Sequence, residues 1–192
     1  MSIRFLTIPG LASSGPQHWQ TIWETQYPHL FSRVEQVNWD WPVKQEWVAT
    51  LQDWISKLAE PTILVAHSLG CITVAHWAQE HSSDYVQGAF LVAPADADMS
   101  QRLNFVIDFA PIPTSPLPFK SVVVASTNDM YATITRSEKF AENWGSEFIN
   151  IGEKGHINAV SGLGDWLEGK KMLQIFSNSE LEHSRVTTNS ES

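Results

Sequence analysis

Apolar residues fall along this chain in two alternating patterns: short dense runs, and longer segments where they recur every three or four positions. The dense runs are Ile3–Ile8, Arg33–Trp39, Thr62–Ala66, Ala89–Ala93, Ser121–Ser126 and Phe148–Ile151. Each has the length and the β-branched or aromatic content of a buried strand. Helical spacing lies between them. Trp19, Ile22 and Trp23 form the stripe of a first helix that has Pro16 in its opening turn and ends before Pro28, and Trp47, Leu51, Trp54, Ile55 and Leu58 mark a second over Val43–Leu58. Ile72, Ala75 and Ala78 give an inner face to a third, and Ser137–Trp144 and Gly164–Phe176 supply two more. Asp40-Trp41-Pro42 and His81–Asp84 read as turns. Pro94–Phe119 is less regular, with five prolines around Phe105–Phe109. It reads as one short helix plus an extended return, a candidate lining for a site mouth. The polar stretch Ser177–Ser192 is expected to be disordered.

Six strands alternating with helices predict an open parallel sheet covered on both faces, a three-layer α/β/α sandwich with strand order 2-1-3-4-5-6. A length of 192 residues suits one domain, 1–176, followed by the tail 177–192. There is no internal repeat and no linker. A hydrophobic content of 43% with 17% charged residues is that of an ordinary globular chain, and no apolar run approaches bilayer length. The run Phe5-Leu6-Thr7-Ile8 after Arg4 is cut short by Pro9-Gly10, so it reads as a strand rather than a signal peptide. A single cysteine, Cys71, excludes an internal disulfide and fits a reducing compartment. A cytoplasmic location is therefore expected. The net charge of −9, without a basic stripe, argues against a nucleic-acid partner. Nine tryptophans are read as core and helix-packing residues rather than a ligand cage.

The chemistry concentrates at strand ends, where parallel α/β sheets place their sites. After the third strand comes Ser68, flanked two residues away by Ala66 and Gly70. This is a nucleophile elbow, with Ala66 in place of the first glycine of G-x-S-x-G; small residues are needed there because the chain turns sharply from strand into helix. After the fifth strand comes Asn128-Asp129 and after the sixth Gly155-His156. Serine, acid and histidine in that order match a Ser-Asp-His triad. His156 would take the weakly nucleophilic hydroxyl's proton, and Asp129 would fix the imidazole tautomer. The expected oxyanion donors are the backbone N–H groups of Leu11 and Leu69. Alternatives exist at each position. Ser68 could be a plain helix N-cap, His156 an ordinary loop histidine, and Asp96 or Asp98 after the fourth strand could supply the acid. Asp40 reads as a turn residue. His18, His67, His76 and His81 read as packing or surface residues, and none has the spacing of a metal ligand pair. No metal or cofactor is expected.

With these residues in place, the chain resembles the small serine hydrolases of the YdeN and retinoblastoma-binding protein 9 group, in the α/β-hydrolase superfamily, from about Ile3 to Ile175. The resemblance is carried by Pro9-Gly10 with His18-Trp19, Asn38-Trp39-Asp40 with Pro42, Val65-Ala66-His67-Ser68-Leu69-Gly70, and Leu91-Val92-Ala93-Pro94. Ser126-Thr127-Asn128-Asp129 and Gly155-His156-Ile157-Asn158, followed by Ser161-Gly162, complete it. It implies a capless hydrolase fold and a triad at Ser68, Asp129 and His156. Met130 departs from the pattern, which has proline after the acid. The human relative's pocket-protein interaction is attributed to an L-x-C-x-E stretch. Leu69-Gly70-Cys71-Ile72-Thr73 lacks the glutamate, so that partner is not expected here.

The leading expectation is a serine hydrolase that cleaves a small ester, thioester or amide through an acyl-enzyme. Gly10, His18, Trp19, Met130 and Tyr131 are the candidate substrate-binding residues. The expected partner is a small-molecule acyl substrate, with neither nucleic acid nor membrane, for a monomer or small homo-oligomer. Two alternatives are a catalytically silent binding protein on the hydrolase shell, and a lyase using the same serine and histidine.

Overall fold

A computed structural model describes residues 3–99 and 104–181. Six strands, β1 (Arg4–Ile8), β2 (Phe31–Arg33), β3 (Thr62–His67), β4 (Val86–Val92), β5 (Ser121–Ala125) and β6 (Glu147–Asn150), form one sheet in the order β2-β1-β3-β4-β5-β6. Every neighbouring pair is parallel. Four α-helices, α1 (Trp19–Gln26), α2 (Lys44–Ser56), α3 (Leu69–Glu80) and α4 (Ile134–Trp144), connect them, and α5 (Leu167–Ser177) follows the last strand. A 3-10 segment broken by a kink at Val106 spans Asn104–Phe109, and one further 3-10 turn lies at Ala159–Ser161.

Alternate residues of each central strand enter opposite cores, which is why these strands read as continuous apolar runs. Leu6, Leu64, Ala66, Leu91 and Val123 pack with α2, α3 and α4. Phe5, Ile63, Val65, Phe90, Val122 and Val124 pack with α1 and α5 on the other face. The tryptophans divide in the same way, with Trp47, Trp77 and Trp144 in the first core and Trp19, Trp23 and Trp166 in the second. Trp41 is exposed. No described helix is long and apolar enough to cross a membrane.

Several boundaries differ from the pattern-based expectation. The second strand is Phe31–Arg33 rather than Arg33–Trp39. Phe31 stacks on Phe5 at 4.8 Å, and beyond one further bond, Val34 N–H to Thr7 C=O at 2.9 Å, the chain leaves the sheet edge. Trp39 instead packs edge-on against Trp47. α1 starts at Trp19, after Pro16, because the His18 side chain caps it, and its buried face is Trp19, Gln20 and Trp23 rather than including Ile22. α4 starts a turn early, at Ile134, where the Thr133 hydroxyl accepts the Arg136 N–H at 3.2 Å. α3 is buried on nearly all sides from Leu69 to Ala75, not on one face. α5 runs to Ser177, so the expected tail begins within the helix, and its residues 182–192 lie outside the described part, as do residues 100–103 of the Pro-rich return.

Candidate active site

β3 passes directly into α3 at Ser68, with φ 55° and ψ −122°. A serine at positive φ is strained by on the order of 1–3 kcal/mol, so its surroundings must enforce the conformation. The Ser68 N–H donates to Val92 C=O and the Ser68 C=O accepts from Cys71 N–H, both at 3.0 Å. Packing closes the turn from the other side. A Cβ at Gly70 would stand 2.2 Å from Ile8 O, and one at Gly10 would stand 2.7 Å from Ser68 Cβ and 3.1 Å from Leu69 N. The loop after β1 therefore lies against the elbow. Ala12 and Ser13 follow at φ 60°, a turn joined by the Ser13 N–H to Gly10 C=O bond and anchored by Ala12 N–H to Trp39 C=O.

Ser68 makes no side-chain cap bond to its helix, which removes the N-cap reading. Its Oγ lies 2.8 Å from His156 Nε2 instead. On the opposite edge of that ring, Nδ1 stands 2.9 and 2.8 Å from the two Asp129 carboxylate oxygens. Asp129 Oδ1 also accepts the Tyr131 N–H at 2.8 Å. The rival acids are engaged elsewhere: Asp96 pairs with Arg136 Nε at 3.0 Å, and Asp98 pairs with the same guanidinium. Asp40 is an exposed turn residue whose N–H donates to Asn38 Oδ1.

The His156 loop is tethered from three directions. Trp19 Nε1–H donates to Ile157 C=O at 2.8 Å, and His67 Nε2–H donates to His156 C=O at 2.9 Å. From the acid loop, Asn128 Oδ1 accepts the Gly155 N–H at 2.6 Å and Ser126 Oγ accepts the Lys154 N–H at 2.9 Å. Gly155 takes φ 57°, which glycine adopts without a side-chain clash.

A cavity of about 300 Å³ opens over Ser68. Leu11, Leu69, Ala95 and Val106 give it apolar walls, and His18, His67, Tyr131, His156 and Asn158 add polar groups. Burial, with Arg33 and His156 nearby, lowers the His18 pKa to about 3. Burial, with His18 and His156, holds the His67 pKa well below the usual imidazole value. Both rings are therefore neutral near pH 7.

Of the expected substrate-binding residues, His18 and Tyr131 line this cavity and Gly10 packs on Ser68 Cβ. Two expectations are corrected. Trp19 is buried in the core, where its indole supports the histidine loop, and Met130 points outward, 64% exposed, so neither lines the cavity. His67, read as a packing residue, is both a wall and a tether. Ala95 and Val106 bring the Pro-rich return to the site. Asn158, Ala159 and Val160 arrive through a 3-10 turn that carries no strong pattern in the sequence.

The serine hydrolase family profile matches residues 5–175. The chain belongs to the serine hydrolase family. Among solved structures, this serine hydrolase is similar to a YdeN-like hydrolase of Pectobacterium atrosepticum, with 33% identity, a TM-score of 0.81, and 92% and 91% of the two chains covered. The ydeN product of Bacillus subtilis is 18% identical with a TM-score of 0.74, covering 92% of this chain and 100% of its own. Est1E of Butyrivibrio proteoclasticus, solved with ferulic acid bound, is 12% identical with a TM-score of 0.65 over 92% and 90% of the chains. The last two likenesses show the α/β-hydrolase fold alone. No curated protein matches the chain.

Proposed function

We propose that this serine hydrolase cleaves a small carboxylic ester, thioester or amide through an acyl-enzyme, with Ser68 as nucleophile, His156 as general base and acid, and Asp129 as the orienting carboxylate. One observation carries the reading: His156 reaches Ser68 Oγ with Nε2 at 2.8 Å while Nδ1 faces Asp129. This arrangement favours the tautomer with the ring proton on Nδ1 and the lone pair toward the hydroxyl.

The chemistry follows from this tautomer. Oγ attacks the carbonyl carbon as its proton passes to Nε2, and Asp129 offsets the charge of the imidazolium. The N–H groups of Leu11 and Leu69 are the proposed donors to the oxyanion. Leu69 opens α3, so its N–H belongs to the first turn, whose amides have no acceptor within the helix. Collapse expels the leaving group, which takes the proton from Nε2. Water then enters, loses a proton to His156 and releases the acid. A cavity of about 300 Å³ with apolar walls suits a short acyl group.

A fluorophosphonate probe tests this by intact-protein mass. Wild type should gain one adduct, Ser68→Ala none, and His156→Ala should label at least roughly 10³-fold more slowly. A folded wild type that takes up no probe, or equal labelling of Ser68→Ala, would overturn the assignment.

A further inference from the structure

Four buried side-chain atoms among the described residues lack a hydrogen-bond partner: His18 Nε2, Gln36 Oε1, Asp165 Oδ1 and Trp166 Nε1. Of these residues only His18 lines the cavity above Ser68. A buried polar group without a partner is costly and calls for an explanation.

The proton on that atom follows from the opposite edge of the ring. The Gln20 N–H donates to His18 Nδ1 at 3.2 Å, so Nδ1 holds a lone pair and the neutral ring carries its hydrogen on Nε2. Protonating Nδ1 would set two donors against each other at the cap of α1. Burial and the Arg33 charge act in the same direction. The neighbouring rings, His67 at 4.7 Å and Trp19 at 5.3 Å between centroids, pack against His18 without accepting a hydrogen bond from it. His18, a residue that lines the cavity, therefore carries a neutral, buried N–H without a partner.

The charge around it limits the partner. No lysine or arginine lines the cavity, and the Arg33 guanidinium is held by Glu24, Thr21 and the Ser14 carbonyl. A buried carboxylate there would lack a counter-charge, whereas an uncharged oxygen needs only a donor.

We propose that His18 Nε2–H is a recognition donor for a second, uncharged oxygen of the substrate, an ether, hydroxyl or keto oxygen separate from the scissile carbonyl. The substrate class is then a small acyl compound that bears a further oxygen on its acyl or its leaving-group side. The inference rests on the hydrolase reading of Ser68.

Isosteric ester pairs test it. p-Nitrophenyl methoxyacetate is compared with p-nitrophenyl butyrate, and 2-methoxyethyl butyrate with butyl butyrate, so that oxygen replaces methylene on the acyl or the alcohol side. The readout is the change in each kcat/KM ratio between wild type and variant, in which the esters' intrinsic reactivities cancel. His18→Asn retains a strong N-cap and removes the distant donor; His18→Gln returns an amide N–H at similar reach. In at least one pair His18→Asn should lower the oxygen-over-methylene ratio about tenfold, and His18→Gln should recover part of it. Ratios unchanged in both pairs, or an equal loss on both members of each pair, would overturn the proposal; equal loss would mark His18 as a general support of the site. Wild type that hydrolyses none of the esters and takes up no fluorophosphonate would refute the underlying hydrolase reading instead. Thermal unfolding of both variants confirms that folded proteins are compared.

Discussion

Ser68 is held by its own backbone and by close packing, whereas His156 is held by hydrogen bonds reaching it from α1, from the end of β3 and from the acid loop. At the elbow, Gly70 and Gly10 leave no room for a side chain against Ile8 O and Ser68 Cβ. Around His156, the restraints are the Trp19 indole, the His67 ring, and the Asn128 and Ser126 side chains. Interiors pack at near-crystalline density, so a packed turn fails all at once, while a tethered loop loses alignment bond by bond. Ser68 and His156 should therefore respond to mutation in different ways.

The largest effect is expected where packing alone decides. Gly70→Val adds a Cβ 2.2 Å from the Ile8 carbonyl oxygen, which belongs to the backbone of β1 and cannot rotate away. The cost should exceed about 4 kcal/mol, read as loss of soluble folded protein or of the cooperative urea transition. A variant of near-wild-type stability would show that the elbow is not locked by packing.

Next comes acid sensitivity at the seam between the two regions, where His18 and His67 lie buried and neutral. The pKa of His18 falls from 6.5 to about 3 in the folded chain, so between those values the unfolded chain binds the additional proton. Its contribution to stability is complete above pH 6.5 and declines as the pH drops toward 3, by up to about 1.4 kcal/mol per pH unit. His67 acts in the same direction. Comparing urea unfolding at pH 7 and pH 5, His18→Asn should reduce the acid-induced loss by up to about 2 kcal/mol. An identical loss in wild type and variant would contradict the buried neutral state.

The same contrast explains what could be read from the sequence. The strand–Ser68–helix signal is local, with small residues at fixed offsets around one serine, and Asp129 and His156 are found because each follows an apolar run. Apolar runs also yield the sheet, since strands buried on both faces need no subtle pattern. Tethers lack such a signature. His67 and His156 are 89 positions apart, and Asn128 and Gly155 are 27 apart, so nothing near either residue announces the bond. Trp19 was misplaced at the substrate for the same reason: its partner, the Ile157 carbonyl, is 138 positions away. The second strand lies earlier and is shorter than its apolar pattern predicts, because Val34 and Trp39 are apolar for packing beyond the sheet edge, and periodicity does not distinguish that from pairing.

The two smallest predictions compare one tether with another, with burial setting their order. His67→Phe keeps a ring of similar size but leaves the His156 carbonyl without its donor in a fully buried setting. Water cannot readily replace that bond, so kcat should fall roughly tenfold as His156 is displaced. Asn128→Ala removes the acceptor for the Gly155 N–H at an exposed position, where solvent can take its place. Its effect should be only about threefold. Steady-state kinetics on one p-nitrophenyl ester measure both, and the ratio of the two losses is the informative quantity. A larger loss for Asn128→Ala would mean that the Asp129 loop, rather than the His67 ring beside Ser68, sets the position of His156, and that the coupling of Asp129 to His156 governs the site more than the coupling of His156 to the elbow.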